Sequence, residues 1–304
     1  MEPQRREAAF ADGTTSYLEW SGPQAAPVLV FLHANGFNAL TYRTLLAPLA
    51  ERFRIIAPDQ RGHGFTTLES LPRIHPRWEL LRDDLLRLVA MLGVRPRVLA
   101  GHSLGATVSL MAAAKIDVAD ALVVSEPVLQ PDSRALYALL MRMLGRAEQL
   151  PRVLPAKKRR AQFASREEAV KGYRGRGIFK GWPEQIVADY VEGGTIASEG
   201  GGYKLACSPD WESEFFTVFP FGLARLGSRI RVPVTVLAGT EQSATTEDVV
   251  SGFVRRHPRT KLRRIPGASH FLPMEKPELV RAEIIEAAQK LVPASASPSS
   301  PAVE

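Results

Sequence analysis

Gly101-His102-Ser103-Leu104-Gly105 stands between a short strand-like segment, Arg97-Val98-Leu99-Ala100, and a helical run from Leu104 to Lys115. The order strand, tight turn, helix is what gives this G-x-S-x-G pattern meaning. A serine on a sharp strand-to-helix turn takes a strained backbone conformation close to adjacent chain, so the residues two positions to either side must be small. Gly101 and Gly105 meet that requirement. A turn of this kind holds the Ser103 hydroxyl out above a sheet and marks it as a candidate nucleophile.

Outward from this turn, the chain alternates strand and helix patterns. Residues 5–20 read as an edge hairpin around Asp12-Gly13, whose pairing of residue types suits a tight turn. Val28-Leu29-Val30-Phe31-Leu32 is apolar throughout, as a strand buried on both faces must be. A helix is expected from about Thr41 to Arg52, and Arg54-Ile55-Ile56-Ala57 reads as a second buried strand. From Trp78 to Leu92, Leu81, Leu85, Leu88 and Leu92 fall on one helical stripe. Strands follow at 121–124, 233–238 and 261–265, the last two each succeeded by a helix. This rhythm predicts an α/β protein with a mostly parallel, doubly wound sheet.

Between Glu126 and Arg231 the rhythm stops for far longer than a crossover helix requires. The stretch has helical patches of its own and aromatics that include Tyr173, Phe179, Trp182, Tyr190 and Trp211. It reads as a mainly helical lid at 127–229, inserted into a core made of 1–126 and 230–292, at the sheet edge where such folds bind ligands. Gly193-Gly194 and Gly200-Gly201-Gly202 read as mobile turns within it, and the Pro/Ser-rich segment 293–304 as a disordered tail.

Composition narrows the class of function. Of the 304 residues 45% are hydrophobic, enough for a substantial core, and one cysteine, Cys207, excludes an internal disulfide framework. A reducing, cytoplasmic compartment is the expectation. The charged N-terminus from Met1 to Arg6 leads into no apolar stretch, and no run is long enough for stable membrane insertion. The six histidines have no ligand spacing, so no metal is expected. The net charge of +7 is spread over separate patches such as 157–160, 255–256 and 263–264, without interleaved aromatics. Solvated surfaces, not a nucleic-acid platform, are what that distribution predicts.

A serine hydroxyl attacks only when a base takes its proton and that base is itself oriented. Gly267-Ala268-Ser269-His270-Phe271 directly follows the last strand, which makes His270 the candidate base. His63, in Arg61-Gly62-His63-Gly64, reads as a loop brace, and His257 as a helix-end residue. His75 has no context that singles it out. His102 is expected to point away from the serine hydroxyl.

With His33-Ala34-Asn35-Gly36-Phe37 and Pro58-Asp59-Gln60-Arg61-Gly62-His63-Gly64 added to the serine and histidine motifs, the ordered set resembles the α/β-hydrolase fold superfamily, and within it the lidded, cofactor-independent serine hydrolases. The resemblance spans roughly residues 10–126 and 230–290. It implies an oxyanion hole built from the backbone N–H groups of Leu104 and Asn35, with His33-Ala34 in place of the usual His-Gly. The Asn35 amide either assists that site or fixes its own loop. Phe37, His102, Trp182 and Phe271 are the candidates for contact with substrate. No cofactor is implied.

The acid that orients the base is not settled by pattern. In most such relatives it stands three residues beyond the glycine that follows the post-lid strand, and here that position holds Gln242, in Gly239-Thr240-Glu241-Gln242. Glu126, 23 residues after Ser103 at the end of the neighbouring strand, is the leading candidate because some members of the superfamily resemble that arrangement. Glu241 is the alternative, and Asp248 or no acid at all the remainder. Together these residues imply a serine hydrolase acting through an acyl-enzyme on a small-molecule substrate. A small, largely apolar ester or lactone is the first expectation. Carbon–carbon bond hydrolysis, acyl transfer to another acceptor, or a non-catalytic binding protein are the alternatives. Oligomeric state has no signature in the sequence.

Overall fold

Val28-Leu29-Val30-Phe31-Leu32 forms the third strand of the sheet, and Leu29 to Leu32 are buried because helices cover both faces. The computed structural model describes residues 2–70 and 77–291, so His75 and the tail from Pro293 lie outside the described residues. The first part of the chain comprises β1 (Gln4–Phe10), β2 (Gly13–Trp20), β3 (Val28–Leu32), α1 (Arg43–Leu46), β4 (Arg54–Pro58), α2 (Trp78–Met91), β5 (Val98–His102), α3 (Leu104–Lys115) and β6 (Ala121–Ser125). The chain then leaves the sheet for α4 (Asp132–Met143), α5 (Val153–Lys157), β7 (Gln162–Phe163), α6 (Arg166–Tyr173), α7 (Glu184–Gly194), β8 (Thr195–Ala197), β9 (Tyr203–Leu205) and α8 (Pro209–Glu214). It returns as β10 (Val234–Gly239), α9 (Glu247–Arg256), β11 (Thr260–Ile265), α10 (Leu272–Glu275) and α11 (Pro277–Gln289).

The strands order as β1-β2-β4-β3-β5-β6-β10-β11. β2 is antiparallel to both neighbours, and the six strands from β4 to β11 are parallel. Alternate side chains along each strand enter opposite cores. Val98 and Ala100 of β5 join Leu45, Leu46 and Ile284 from α1 and α11, whereas Leu99 joins Leu81, Leu85, Leu110 and Phe253 from α2, α3 and α9. Sequential crossovers that place helices on both faces leave the carboxyl ends of the parallel strands free of helix packing, and that edge is where the catalytic candidates gather.

Two local expectations from sequence meet correction. The stretch from Thr41 to Arg52 is not one helix. It divides into a 3₁₀ turn (Ala39–Tyr42), α1 and a second 3₁₀ turn (Ala47–Glu51). Pro48 has no N–H to return to the Thr44 carbonyl, so the α-ladder stops there. Gly193 and Gly194 are not a mobile turn but the last two residues of α7, and a Cβ on Gly193 would collide with the Asn38 side chain. The insertion also holds a small antiparallel sheet of order β7-β9-β8, with Gly200–Gly202 in the turn between β8 and β9.

α3 packs so tightly on the sheet that a Cβ on Gly105 would strike the carbonyl oxygen of Leu32 in β3. That atom belongs to backbone and cannot rotate away. Gly105→Ala is therefore expected to lower the unfolding free energy by roughly 1–3 kcal/mol in a urea titration. An unchanged midpoint would contradict the close approach.

Candidate active site

Ser103 occupies φ 54°, ψ −113°, a conformation that L-residues adopt only under constraint. The constraint is local. Its N–H donates to the Ser125 carbonyl of β6 at 3.0 Å, and its own carbonyl accepts from Thr107 N–H at 3.0 Å in the first turn of α3. A Cβ on Gly101 would come within 2.7 Å of the Gly105 carbonyl carbon, so both glycines of the motif are needed for the strand and helix to meet here. Leu104 opens α3, where the first N–H groups of a helix have no intrahelical acceptor and face developing negative charge favourably.

His270 lies 2.9 Å from the Ser103 hydroxyl through Nε2 and 3.1 Å from Glu126 Oε2 through Nδ1. A carboxylate only accepts hydrogen bonds, so the ring proton sits on Nδ1 and leaves Nε2 to accept from the serine hydroxyl. Glu126 is fully buried and takes a left-handed φ of 53° at the end of β6, which sends its side chain across the end of β10. There it accepts from the Gly239 N–H at 2.5 Å, the Ser243 hydroxyl at 2.8 Å and the Ala244 N–H at 2.9 Å. Burial alone pushes this carboxyl up. The His270 hydrogen bond and charge and the two backbone donors outweigh it and hold the group below the usual carboxylate range.

The other acid candidates lie elsewhere. Glu241 and Asp248 are both exposed, and neither side chain contacts His270. Gln242 is exposed too, on a turn with φ 49°. A residue that sequence reading passed over supports the candidate base. Glu275 of α10 accepts from the Ser269 N–H at 2.8 Å and from the Ser269 hydroxyl, which fixes the turn carrying His270.

The loop after β3 is held from below by two histidines. His33 Nδ1 donates to the Ala34 carbonyl at 2.7 Å while Nε2 accepts from the Gln60 N–H at 2.8 Å. His63 Nδ1 donates to the Arg61 carbonyl at 3.0 Å and Nε2 accepts from the Gly36 N–H at 2.9 Å. Both rings must be neutral to accept. Burial depresses them to about 4 for His33 and about 3 for His63, where the charge of His33 adds to the burial effect. Asn35 donates through its side-chain amide to the Glu212 carbonyl at 2.9 Å, so that amide ties the loop to the insertion. The Asn35 backbone N–H has no protein acceptor among the described residues.

Of the four residues named for substrate contact, His102 is corrected. It is fully buried and both ring nitrogens are engaged, Nε2–H donating to the His270 carbonyl at 2.7 Å and Nδ1 accepting from Tyr42 at 2.7 Å. Tyr42 in turn accepts from the Ala34 N–H at 3.1 Å. A buried chain of hydrogen bonds thus joins the loop after β3 to the backbone of His270. The remaining three come together. Phe37 stacks on Phe271 at 6.3 Å, Trp182 meets Phe37 edge-on at 5.8 Å and Phe271 at 5.5 Å, and Phe271 touches His270 at 5.5 Å.

Behind Phe37, Arg159 of the insertion bonds Glu212 and the Tyr190 hydroxyl, which donates to the Gly36 carbonyl at 3.1 Å. Asn38 reaches Tyr190's own carbonyl at 2.9 Å. Among the described residues no group of three or more histidine, cysteine, aspartate or glutamate side chains is arranged to hold a metal, and no helix is long and apolar enough to cross a membrane.

A strained serine between β5 and α3, on a mostly parallel eight-stranded sheet, defines an α/β-hydrolase fold. The sequence profile of the alpha/beta hydrolase family matches residues 29–283, and the chain belongs to that family. It is 25% identical over 256 residues to 2-(acetamidomethylene)succinate hydrolase of Mesorhizobium japonicum, across 84% of this chain and 85% of that protein. Among solved structures, E-2-(acetamidomethylene)succinate hydrolase superposes with a TM-score of 0.75 at 23% identity, over 94% of this chain and 99% of the other. The thioesterase domain from the curacin biosynthetic pathway gives 0.73 at 18%, over 94% and 100%. These relatives are hydrolases.

The neutral pair His33 and His63 makes the fold acid-sensitive in a defined window. Their folded values lie below the ordinary 6.5, so the unfolded chain takes up protons that the native state refuses. Their contribution is intact above pH 6.5 and is lost as pH falls toward 4 and then 3. The melting temperature is expected to drop across that interval, and less steeply in His63→Gln. An equal slope in the variant would remove His63 from the account.

Proposed function

We propose that this chain is a serine hydrolase that cleaves a small, largely apolar ester or lactone through an acyl-enzyme on Ser103. The observation that carries this reading is the continuous line from the Ser103 hydroxyl to His270 at 2.9 Å and from His270 to the buried Glu126 carboxylate at 3.1 Å. As Ser103 Oγ attacks the carbonyl carbon, its proton passes to His270 Nε2, and Glu126 stabilises the imidazolium through Nδ1–H. The carbonyl oxygen becomes an oxyanion that the N–H groups of Leu104 and Asn35 receive. Collapse expels the alcohol, which takes the proton from His270. Water then attacks the acyl carbon with the same base, and Ser103 leaves with the proton returned.

The substrate class rests on the walls. Phe37, Trp182 and Phe271 present rings beside His270, while Arg159 is occupied by Glu212 and Tyr190 and is not free for a carboxylate substrate. The similarity to 2-(acetamidomethylene)succinate hydrolase supports hydrolysis, and the paired arginine supports an uncharged substrate in its place. In this reading 127–229 acts as the lid that excludes water.

The test is turnover of p-nitrophenyl esters from acetate to long acyl chains. Ser103→Ala is expected to abolish it, and a fluorophosphonate to label Ser103. Glu126→Gln, nearly isosteric, should lower kcat by ~10³- to 10⁴-fold with the fold intact but a lower melting temperature, because its amide NH2 must face a backbone N–H, while Glu241→Gln leaves both unchanged. Equal, small effects from the two glutamine variants would remove Glu126 from its role. A Ser103 that neither turns over esters nor reacts with the phosphonate would overturn the hydrolase reading.

A further inference from the structure

Helix α4 faces the wrong way for a helix in water. Its protein side carries Ala135, Ala138 and Met141, all buried, while Leu136, Tyr137, Leu139, Leu140, Met143 and the adjoining Leu144 are exposed. Met143 is 77% exposed and Leu136 60%. At 3.6 residues per turn these six side chains cover an arc of roughly 160°. Phe221 extends the patch: it too is exposed, and the next residue, Gly222, donates its N–H to Asp132 at the start of α4. Isolated apolar side chains on a surface need no explanation, but a continuous stripe on one helix does.

The rim of this stripe is basic. From Asp132 to Arg160 the chain holds eight lysines and arginines against two acids, Asp132 and Glu148. Glu148 is engaged by Lys157, and Arg142, Arg159 and Arg160 pair with acids from other segments. Arg134, Arg146 and Arg152 have no acidic side chain in ion-pair contact among the described residues, and Lys158 acts only on Glu148, which Lys157 already holds. Arg134 lies over the Phe219 ring at 5.3 Å, close enough to Arg152 for its charge to be felt there. Partial desolvation first, and Arg134 second, hold the Arg152 guanidinium below its ordinary value. Two cations thus share one place without a carboxylate between them.

We propose that the exposed face of α4 is a docking surface for an anionic lipid bilayer, lying in the interface with its leucines and Met143 among the acyl chains and Arg134, Arg146 and Arg152 at the phosphates. Charge complementarity selects this occupant. A second copy of the chain packed face to face would bring the same basic rims together, whereas an anionic surface neutralises them. Shape agrees, because a convex helix with long, flexible side chains suits a fluid apolar medium that needs no matching groove. α4 begins just beyond Glu126, so the patch belongs to the same sheet edge as Ser103.

The experiment is sedimentation of the full chain with vesicles of phosphatidylcholine alone or mixed with phosphatidylglycerol, alongside light scattering of the free protein. Binding to the mixed vesicles is expected to exceed binding to phosphatidylcholine by about tenfold and to weaken at high salt. Leu140→Glu/Met143→Glu should abolish it, and Arg134→Glu/Arg146→Glu should remove the preference for the anionic lipid. These positions are exposed, so hydrolysis of a soluble ester by the variants should match the parent. Absence of vesicle binding, binding unaltered by the leucine and methionine substitutions, or a parent dimer that those substitutions dissociate would each overturn the proposal. Sedimentation needs no turnover, so it reads the surface independently of the proposed reaction.

Discussion

A buried carboxylate has to be satisfied, and much of this molecule is arranged around the one at Glu126. Its oxygens collect donors from three separate pieces of chain: the end of β10, the turn at Ser243-Ala244, and the ring of His270. Removing a charge from water without such partners costs several kcal/mol. The left-handed backbone at Glu126 is tolerated because those bonds depend on it. The carboxyl ends of β6 and β10 are thereby locked in register with the loop after β11. The position of His270 relative to Ser103 follows from that lock, together with the His102 contact to its carbonyl.

The scaffold was legible in the sequence because its signals are local. Apolar strands such as Val28–Leu32, the periodic leucines of α2 and the two glycines around Ser103 each declare their structure within a few residues. The contact between Glu126 and His270 spans 144 positions. Sequence narrowed it to a short set of carboxylates, but the choice among them turns on a single φ and on a turn closed by Ser243. Residue type alone carries neither. The misread glycines have a similar cause. Gly193 looks like a flexible break until Asn38, distant in sequence, is seen filling the space where its Cβ would be. His102 is another case, since the acceptor for its second nitrogen is a carbonyl 168 residues away.

The insertion is joined to the core by an apolar seam, in which Phe179, Ile186, Val187 and Tyr190 share one buried cluster with Phe37, Leu40 and Tyr42, and by polar contacts along it. Arg43 of α1 pairs with Asp189 of α7, Asn38 holds Tyr190, and the Arg159–Glu212 pair lies against Gly36. A buried ion pair adds little net stability, because desolvation offsets most of the attraction, but loss of one partner strands the other charge. Such contacts fix position more than they add free energy. Here they fix Phe37 and the loop that carries Asn35. The α4 end is tied instead to the turn after β10, where Gln130 donates to the Ala244 carbonyl at 2.6 Å and the Thr246 N–H to the Leu129 carbonyl at 3.0 Å. The two ends of the insertion are thus anchored to different loops of the core.

The place of the insertion within the strand order has a cost during synthesis. β6 pairs with β5 on one side and with β10 on the other, but more than a hundred residues separate β6 from β10 in the chain. While the ribosome makes the intervening segment, the outer edge of β6 (Ala-Leu-Val-Val-Ser) presents unpaired backbone groups between strongly apolar side chains. That is the kind of edge that recruits other chains. The exposed face of α4 emerges in the same interval. A growing chain of this protein thus carries an open, apolar sheet edge until β10 arrives, and its yield in a cell depends on what shields that edge in the meantime.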